Sequence, residues 1–271
     1  MEPLHQALER YRRQEGGTSS RGAGPASVHS VPPPIEYHRT RIIECPDDLL
    51  RRERIVSGFD HGPFVEGYQL LRTQVLHRLR ENGWSVLGVS SPNEREGKTL
   101  TAVNLAISLS MEATQTVLLV DADLKKPGLH RVFGLGQAKG LADILLDEMP
   151  VEETLVHPGI GRFVLLPAGR AVPRSAETLT SPRMSALVNE LKHRYPSRLL
   201  VFDLPPVLTS ADVLGFGPYL DAMLLVASEG MTRRRDVEES IHRLKGAVPI
   251  LGTVLNQVGR PDGSPPMRST R

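Results

Sequence analysis

The chain has one cysteine, Cys45, among 271 residues. A lone thiol excludes an internal disulfide and any metal centre built from clustered cysteines. Aromatic residues are scarce at 4%, so the core must be mostly aliphatic. No apolar run approaches the roughly 20 residues that a membrane-crossing helix needs. No charged-then-apolar start reads as a secretion signal. An excess of either charge is missing too. Thirty-three basic residues stand against thirty-one acidic ones, a net charge of +2, too balanced to argue for nucleic acid as a partner. These absences lead to the expectation of a soluble, cytoplasmic protein that could dock on another component. Its 39% of hydrophobic residues support one large domain with appendages.

The most informative stretch runs over 85–106. Val86, Leu87, Gly88 and Val89 suit a buried strand. Residues 90–97 are polar, with Pro and Gly, and read as a turn. Ala102, Val103, Leu105, Ala106 and Leu109 then recur at helical spacing. Gly97-Lys98-Thr99 therefore falls at a loop-to-helix junction, where free backbone N–H groups and the helix dipole face an anion. Lys98 would reach terminal phosphates, and the Thr99 hydroxyl would ligate Mg²⁺. The full G-x-x-x-x-G-K-[ST] pattern is not met, because Pro92 stands where the first Gly belongs. Alone, Gly-Lys-Thr also marks an exposed lysine at a helix start. The strand before it and the amphipathic helix after it argue against that.

Further along, apolar strands are expected over 116–120, 162–166, 198–202, 222–226 and 250–255, with helices over 184–195 and 235–244. Near-continuous apolar strands separated by amphipathic helices predict an α/β fold, a mostly parallel central sheet with helices on both faces. Ligands in such sheets bind beyond the carboxyl ends of the strands. A helix is expected within 62–80, with Glu66, Gln69 and Arg72 sharing its polar face. Before this domain, over 1–60, lies a flexible arm. A short helix over 2–14 leads into a Gly, Ser, Ala and Pro linker over 16–34, and a charged stretch over 37–60 follows with no clear structure. The domain itself runs over 61–258, and 259–271 reads as a disordered tail. Arg233, Arg234 and Arg235 are expected to begin a helix after Thr232 as its cap, with a solvated basic face. The alternative is an acidic partner or membrane headgroups.

Three strand ends carry acids. Asp121 and Asp123 follow the strand over 116–120, and Asp203 follows that over 198–202. A carboxylate at a buried strand end is costly unless it meets a cation or donors. Beside the phosphate loop, the three would converge on one crevice. Mg²⁺ takes one or two carboxylates plus phosphates, and Asp203 suits a ligand acting through a bound water. Either Asp121 or Asp123 would orient or deprotonate an attacking hydroxyl.

Together these motifs resemble the bacterial tyrosine kinases of capsule and exopolysaccharide production, which are deviant P-loop ATPases. Glu66-Gly-Tyr-Gln-Leu-Leu-Arg-Thr-Gln74 resembles the opening helix of that family. Glu96-Gly-Lys-Thr99 resembles its phosphate loop, Val120-Asp-Ala-Asp-Leu-Lys-Lys-Pro127 with His130 its second acidic motif, and Asp203-Leu-Pro-Pro-Val207 with Asp212 its third. Val254-Leu-Asn256 is similar to its closing strand. The resemblance implies a P-loop NTPase fold and ATP-dependent phosphorylation of tyrosine, on itself or on other proteins. It implies catalysis by Lys98, Asp121 and Asp123. ATP would contact Glu96, Gly97, Lys98, Thr99, Leu100 and Asn256, the last facing adenine. Mg²⁺ would lie among Thr99, Asp121 and Asp203. It further implies a homo-oligomer at the inner face of the cell membrane, beside a membrane chain-length protein whose cytoplasmic end helps complete the site.

The chain departs from that pattern in four places. Glu94 and Arg95 replace the usual Pro and Gly, and an arginine tolerates positive φ less well than glycine does. Leu204 replaces a Thr, and Gln69 replaces the first Arg of the helix face. Residues 257–271 contain no tyrosine, which leaves Tyr11 and Tyr37 in the arm as candidate acceptors, with Tyr68, Tyr195 and Tyr219 expected to be packed. These departures keep open a nucleotide-gated scaffold without kinase activity. A partition or division-site positioning ATPase fits less well, because Asn93 stands where those enzymes carry a lysine.

Overall fold

The computed structural model describes residues 40–58, 63–193 and 198–259. The expected helix over 2–14, the linker and nearly all of the tail lie outside the described residues. Eight strands form one sheet among these residues: β1 (Arg41–Ile42), β2 (Val86–Ser90), β3 (Thr116–Asp121), β4 (Val156–His157), β5 (Phe163–Leu166), β6 (Arg198–Asp203), β7 (Ala222–Ser228) and β8 (Ile250–Asn256). Their order is β1-β4-β5-β3-β6-β2-β7-β8. Every pairing is parallel except that of β4 with β5. The six strands expected from the sequence are the six that run in one direction.

The helices are α1 (Asp47–Arg52), α2 (Pro63–Asn82), α3 (Lys98–Ser110), α4 (Leu129–Val132), α5 (Leu141–Asp147), α6 (Ser175–Leu179), α7 (Pro182–His193), α8 (Asp212–Phe216) and α9 (Arg234–Leu244). Strands β2, β3, β6 and β7 are buried at every position, because helices cover both faces. Successive side chains on a strand point to opposite faces. Leu87, Val89, Leu119 and Val201 accordingly pack with Val75 and Leu79 of α2 and Leu105 and Leu109 of α3. Their neighbours Val86, Leu118, Val120, Leu200 and Phe202 pack with Leu145 of α5, Leu187 of α7 and Phe216 of α8.

Helix α3 is buried from Thr101 to Ser110, so it is a core element and not a half-wet one. Its polar Asn104 is fully used. Asn104 Oδ1 accepts the Val56 and Ser57 amides at 2.7 and 3.0 Å, and Nδ2 donates to the Arg54 and Leu100 carbonyls at 3.1 Å each. The sequence offers no structure for the charged stretch over 37–60. In its described part, 40–58, β1 joins the sheet edge and Leu50 and Ile55 enter the core. The expected polar face of α2 is also divided. Glu66 and Gln69 are exposed, but Arg72 turns onto α3 and donates to the Ser108 carbonyl at 3.2 Å. No described helix is long and apolar enough to cross a membrane.

Candidate nucleotide site

The loop between β2 and α3 is held from two sides. On one side it is zipped to the chain that leaves β6. The Ser90 hydroxyl donates to the Pro205 carbonyl at 2.6 Å, and the Val207 and Leu208 amides donate to Ser91 and Pro92 at 2.9 and 3.1 Å. On the other side the loop meets β8. Gly97 has φ 92°, and a Cβ there would lie 1.9 Å from Asn256 Nδ2, so only glycine fits. The first backbone bond into α3 runs from the Thr101 amide to the Gly97 carbonyl. The amides of Lys98, Thr99 and Leu100 thus have no acceptor within the helix, as an anion cradle requires.

Acids from two neighbouring strands close on Lys98. Asp121 and Asp203 are register partners at the carboxyl ends of β3 and β6. Lys98 Nζ lies 3.0 Å from Asp123 Oδ2 and 3.3 Å from Asp203 Oδ1. The Thr99 hydroxyl donates to Asp203 Oδ2 at 2.7 Å. Asp121 is held differently. Its Oδ2 accepts the Gly128 and Leu129 amides at 2.9 and 3.0 Å, and its Oδ1 accepts the Asp123 amide at 3.2 Å. It thereby shapes the turn that presents Asp123, whose own Oδ1 accepts the Lys126 amide at 3.0 Å.

The electrostatics follow from this crowding. Burial, reinforced by the nearby Asp203 charge, pushes the Asp121 carboxyl up to about 7. Burial also raises Asp203, against the pull of Lys98 and Thr99. For Lys98, burial works to lower the ammonium, but Asp203, Asp123 and Asp121 outweigh it and hold it above the ordinary lysine value. The centre is therefore a buried cation ringed by acids, two of them reluctant to ionise. Among the described residues, no group of three or more His, Cys, Asp or Glu forms a ready-made metal cage. Thr99 and Asp203 do bring two hard oxygens together, which suits Mg²⁺ with phosphate oxygens completing its shell. Asp121 spends its oxygens on backbone amides.

The remaining expected site residues have distinct fates. Glu96 is 2% exposed, and its side chain binds protein groups. Its carboxylate accepts the Asn93 amide at 2.8 Å, Asn93 Nδ2 at 3.3 Å and the Thr232 hydroxyl at 2.6 Å. Asn256 Nδ2 donates to the Glu96 carbonyl at 3.1 Å. The expected role of Thr232 as a helix cap is corrected. Helix α9 begins at Arg234 with Arg233 at its N-cap, because the Thr232 hydroxyl is committed to Glu96 and to the Ser228 amide. The expected positive φ at Arg95 is present, at 64°.

Sequence reasoning missed one buried network. Lys125 Nζ contacts Asp212 Oδ1 at 2.8 Å and the Ser210 hydroxyl at 3.1 Å, and the Ser175 hydroxyl donates to Asp212 Oδ2. Burial favours a raised Asp212, yet Lys125, Ser175 and Ser210 together hold its carboxyl below the usual value. The only signal was the family order of the segments, since the partners lie up to 87 residues apart.

A buried phosphate-loop helix, with acids from adjacent parallel strands gathered on its lysine, defines a P-loop α/β domain of the NTPase class. No protein-family model matches the chain. Curated relatives do. The chain is 31% identical over 192 residues to the tyrosine-protein kinase YwqD of Bacillus subtilis, a span of 70% of this chain and 80% of that protein. It is 29% identical over 197 residues to the tyrosine-protein kinase wzc of Salmonella typhi, a span of 72% of this chain but 27% of wzc. The chain thus spans about a quarter of the length of wzc and several other relatives it matches. The kinase domain of the Escherichia coli tyrosine kinase ETK is similar in structure, with a TM-score of 0.68 and 28% identity over 82% of this chain and 85% of that domain. The chain belongs to the family of bacterial tyrosine-protein kinases.

Proposed function

We propose that the chain transfers the γ-phosphoryl group of ATP to protein tyrosine, with Mg²⁺, in the service of exopolysaccharide or capsule production. The observation that carries the reading is Lys98 Nζ set between Asp123 and Asp203, with the Thr99 hydroxyl on the same Asp203. Lys98 and the amides of Lys98, Thr99 and Leu100 would bind the terminal phosphates. Thr99 and Asp203 would hold Mg²⁺, which supplies charge neutralisation at the β- and γ-oxygens. Asp123 is the better placed of the two candidate bases. It has an oxygen on Lys98, whereas Asp121 is enclosed by amides. The tyrosine oxygen would form its bond to phosphorus as the bond to the bridging oxygen of ADP breaks, and Asp123 would take the phenolic proton. Such transfer depends chiefly on positioning and charge.

Acceptor tyrosines are constrained by packing. Tyr219 stacks edge-on against Phe216 at 5.2 Å between centroids, and burial raises the Tyr68 hydroxyl. Tyr11, Tyr37 and Tyr195 lie outside the described residues. We assign the acceptor role to Tyr11 and Tyr37, or to tyrosines of other proteins. By analogy with the family, the chain would act as a homo-oligomer on the inner face of the membrane, beside a chain-length protein. The acids Glu94 and Glu96 in the loop favour a second reading, a scaffold that binds ATP without transferring phosphate.

Purified protein with labelled ATP and Mg²⁺, followed by phosphotyrosine detection, tests this. Lys98→Ala should reduce labelling by at least about 10²-fold. Phosphotyrosine retained in that variant defeats the reading. ATP bound with no phosphotyrosine on any protein supports the scaffold instead.

A further inference from the structure

Glu96 is a buried acid beside a phosphate cradle, and its carboxylate accepts from neutral donors: the Asn93 amide and carboxamide and the Thr232 hydroxyl. An anion in that place repels a polyphosphate, so its presence calls for a compensating role. The bonds around it supply one, because they close a ring. Thr232 donates to Glu96 and accepts the Ser228 amide at 2.7 Å. The Ser228 hydroxyl donates to Gln257 Oε1 at 2.7 Å, and Gln257 Nε2 donates to the Arg95 carbonyl at 3.3 Å. Arg95 is joined to Glu96 by the peptide bond. The ring ties the phosphate loop to the ends of β7 and β8.

The ring also contains the strained backbone of this region. Arg95 has φ 64° and Gln257 has φ 58°, left-handed conformations that side-chain-bearing residues adopt at a cost. Both residues belong to the Gln257-to-Arg95 link. The Asn93 carboxamide adds a second tether, from Glu96 to Asp236 at the start of α9.

We propose that Glu96 is a positioning residue for nucleotide binding. Its carboxylate holds the phosphate loop in a strained, binding-ready curvature by clamping it to β7 and β8, and it does not touch the ligand. This rests on the nucleotide site proposed above and adds to it the residue that sets the loop's shape. The clamp acts on binding and leaves the transfer step, which belongs to Lys98 and the strand-end acids, nearly unchanged.

The test is titration of the full chain with Mg-ADP, with KM and kcat for ATP measured beside it. Glu96→Ala strands buried donors and frees the loop, so the dissociation constant and KM should rise about tenfold. The kcat at saturating ATP should change less than about threefold. Glu96→Gln, which keeps an acceptor for Asn93 or Thr232, should fall between. Arg95→Gly in the Glu96→Ala background should recover much of the lost affinity, because glycine adopts that φ without strain. That recovery separates loop shape from general damage. Should Glu96→Ala fail to fold, Thr232→Val reads the same ring, and Thr232→Ser should restore it. Unchanged affinity in Glu96→Ala, or a loss that Arg95→Gly does not relieve, overturns the proposal. Wild-type protein that binds no Mg-ADP overturns the nucleotide site as well. Wild-type binding with an indifferent Glu96→Ala defeats the clamp alone.

Discussion

The two sides of the phosphate loop hold their acids by opposite means. On the β3 and β6 side, Asp123 and Asp203 rest on a lysine ammonium. On the β7 and β8 side, Glu96 rests on an amide, a carboxamide and a hydroxyl. A cation shared among acids can be handed to a ligand, because phosphate oxygens replace the carboxylates it leaves. Neutral donors on short side chains have no such exchange available to them, and they hold geometry. The charged side is suited to chemistry and the neutral side to shape. Asp121 shows that the division follows the partners and not the residue type. It stands two residues from Asp123, yet three backbone amides hold it.

That contrast can be broken at several points. The largest effect is expected at Asp123. Asp123→Asn removes both a lysine partner and the proposed proton acceptor, so kcat for tyrosine phosphorylation should fall about 10²-fold or more. Mg-ADP affinity measured by calorimetry should move little beside it. Asp121→Asn should act in the other direction, through the fold. An asparagine has one oxygen for three amides, and urea denaturation should show a loss of about 1–3 kcal/mol.

Asp212 combines both kinds of partner, with Lys125 on one oxygen and Ser175 on the other. Its folded carboxyl lies below the ordinary value of about 3.9. The stabilisation is therefore complete above that value and is lost as pH falls through the depressed folded value. Asp212→Asn should flatten the acid limb of stability below about pH 4, and denaturation midpoints across pH would show it. The smallest effect is expected where a cation pairs with an acid in water. Lys126 and Glu94 bridge the loop and the turn after Asp123, with 66% and 47% of their side chains exposed. Lys126→Ala should leave the thermal unfolding midpoint nearly unchanged, because solvent screens the pair. A larger change by thermal unfolding would blur the distinction between buried and exposed cations.

The parts of the fold legible in the chain were those with local causes. Strands such as β3, with the run Thr116–Asp121, are buried on both faces and read as continuous apolar stretches. Helix α3 was legible from its period and from Gly97-Lys98-Thr99 at its start. The acids at strand ends were legible because Asp121 and Asp203 directly follow their apolar runs and Asp123 lies two residues on. The short strands β1 and β4 at one end of the sheet were not, because two residues each carry no period. The cap expected at Thr232 failed for a different reason. A threonine before a helix is a sound capping signal, but Glu96 lies 136 residues away and outcompetes the helix for the hydroxyl.

By itself, then, the order of residues determined the alternation of strand and helix, the class of sheet, and which side chains would stand at its carboxyl edge. Those follow from short-range sterics and from burial patterns of period two and 3.6. Only the tertiary structure decided which acid meets Lys98, which is walled in by amides, and which holds the loop from behind. Such pairings form between segments remote in the chain. Whether a buried carboxylate meets an ammonium or an amide depends on what the fold brings to within about 3 Å of it, and residue spacing carries no record of that.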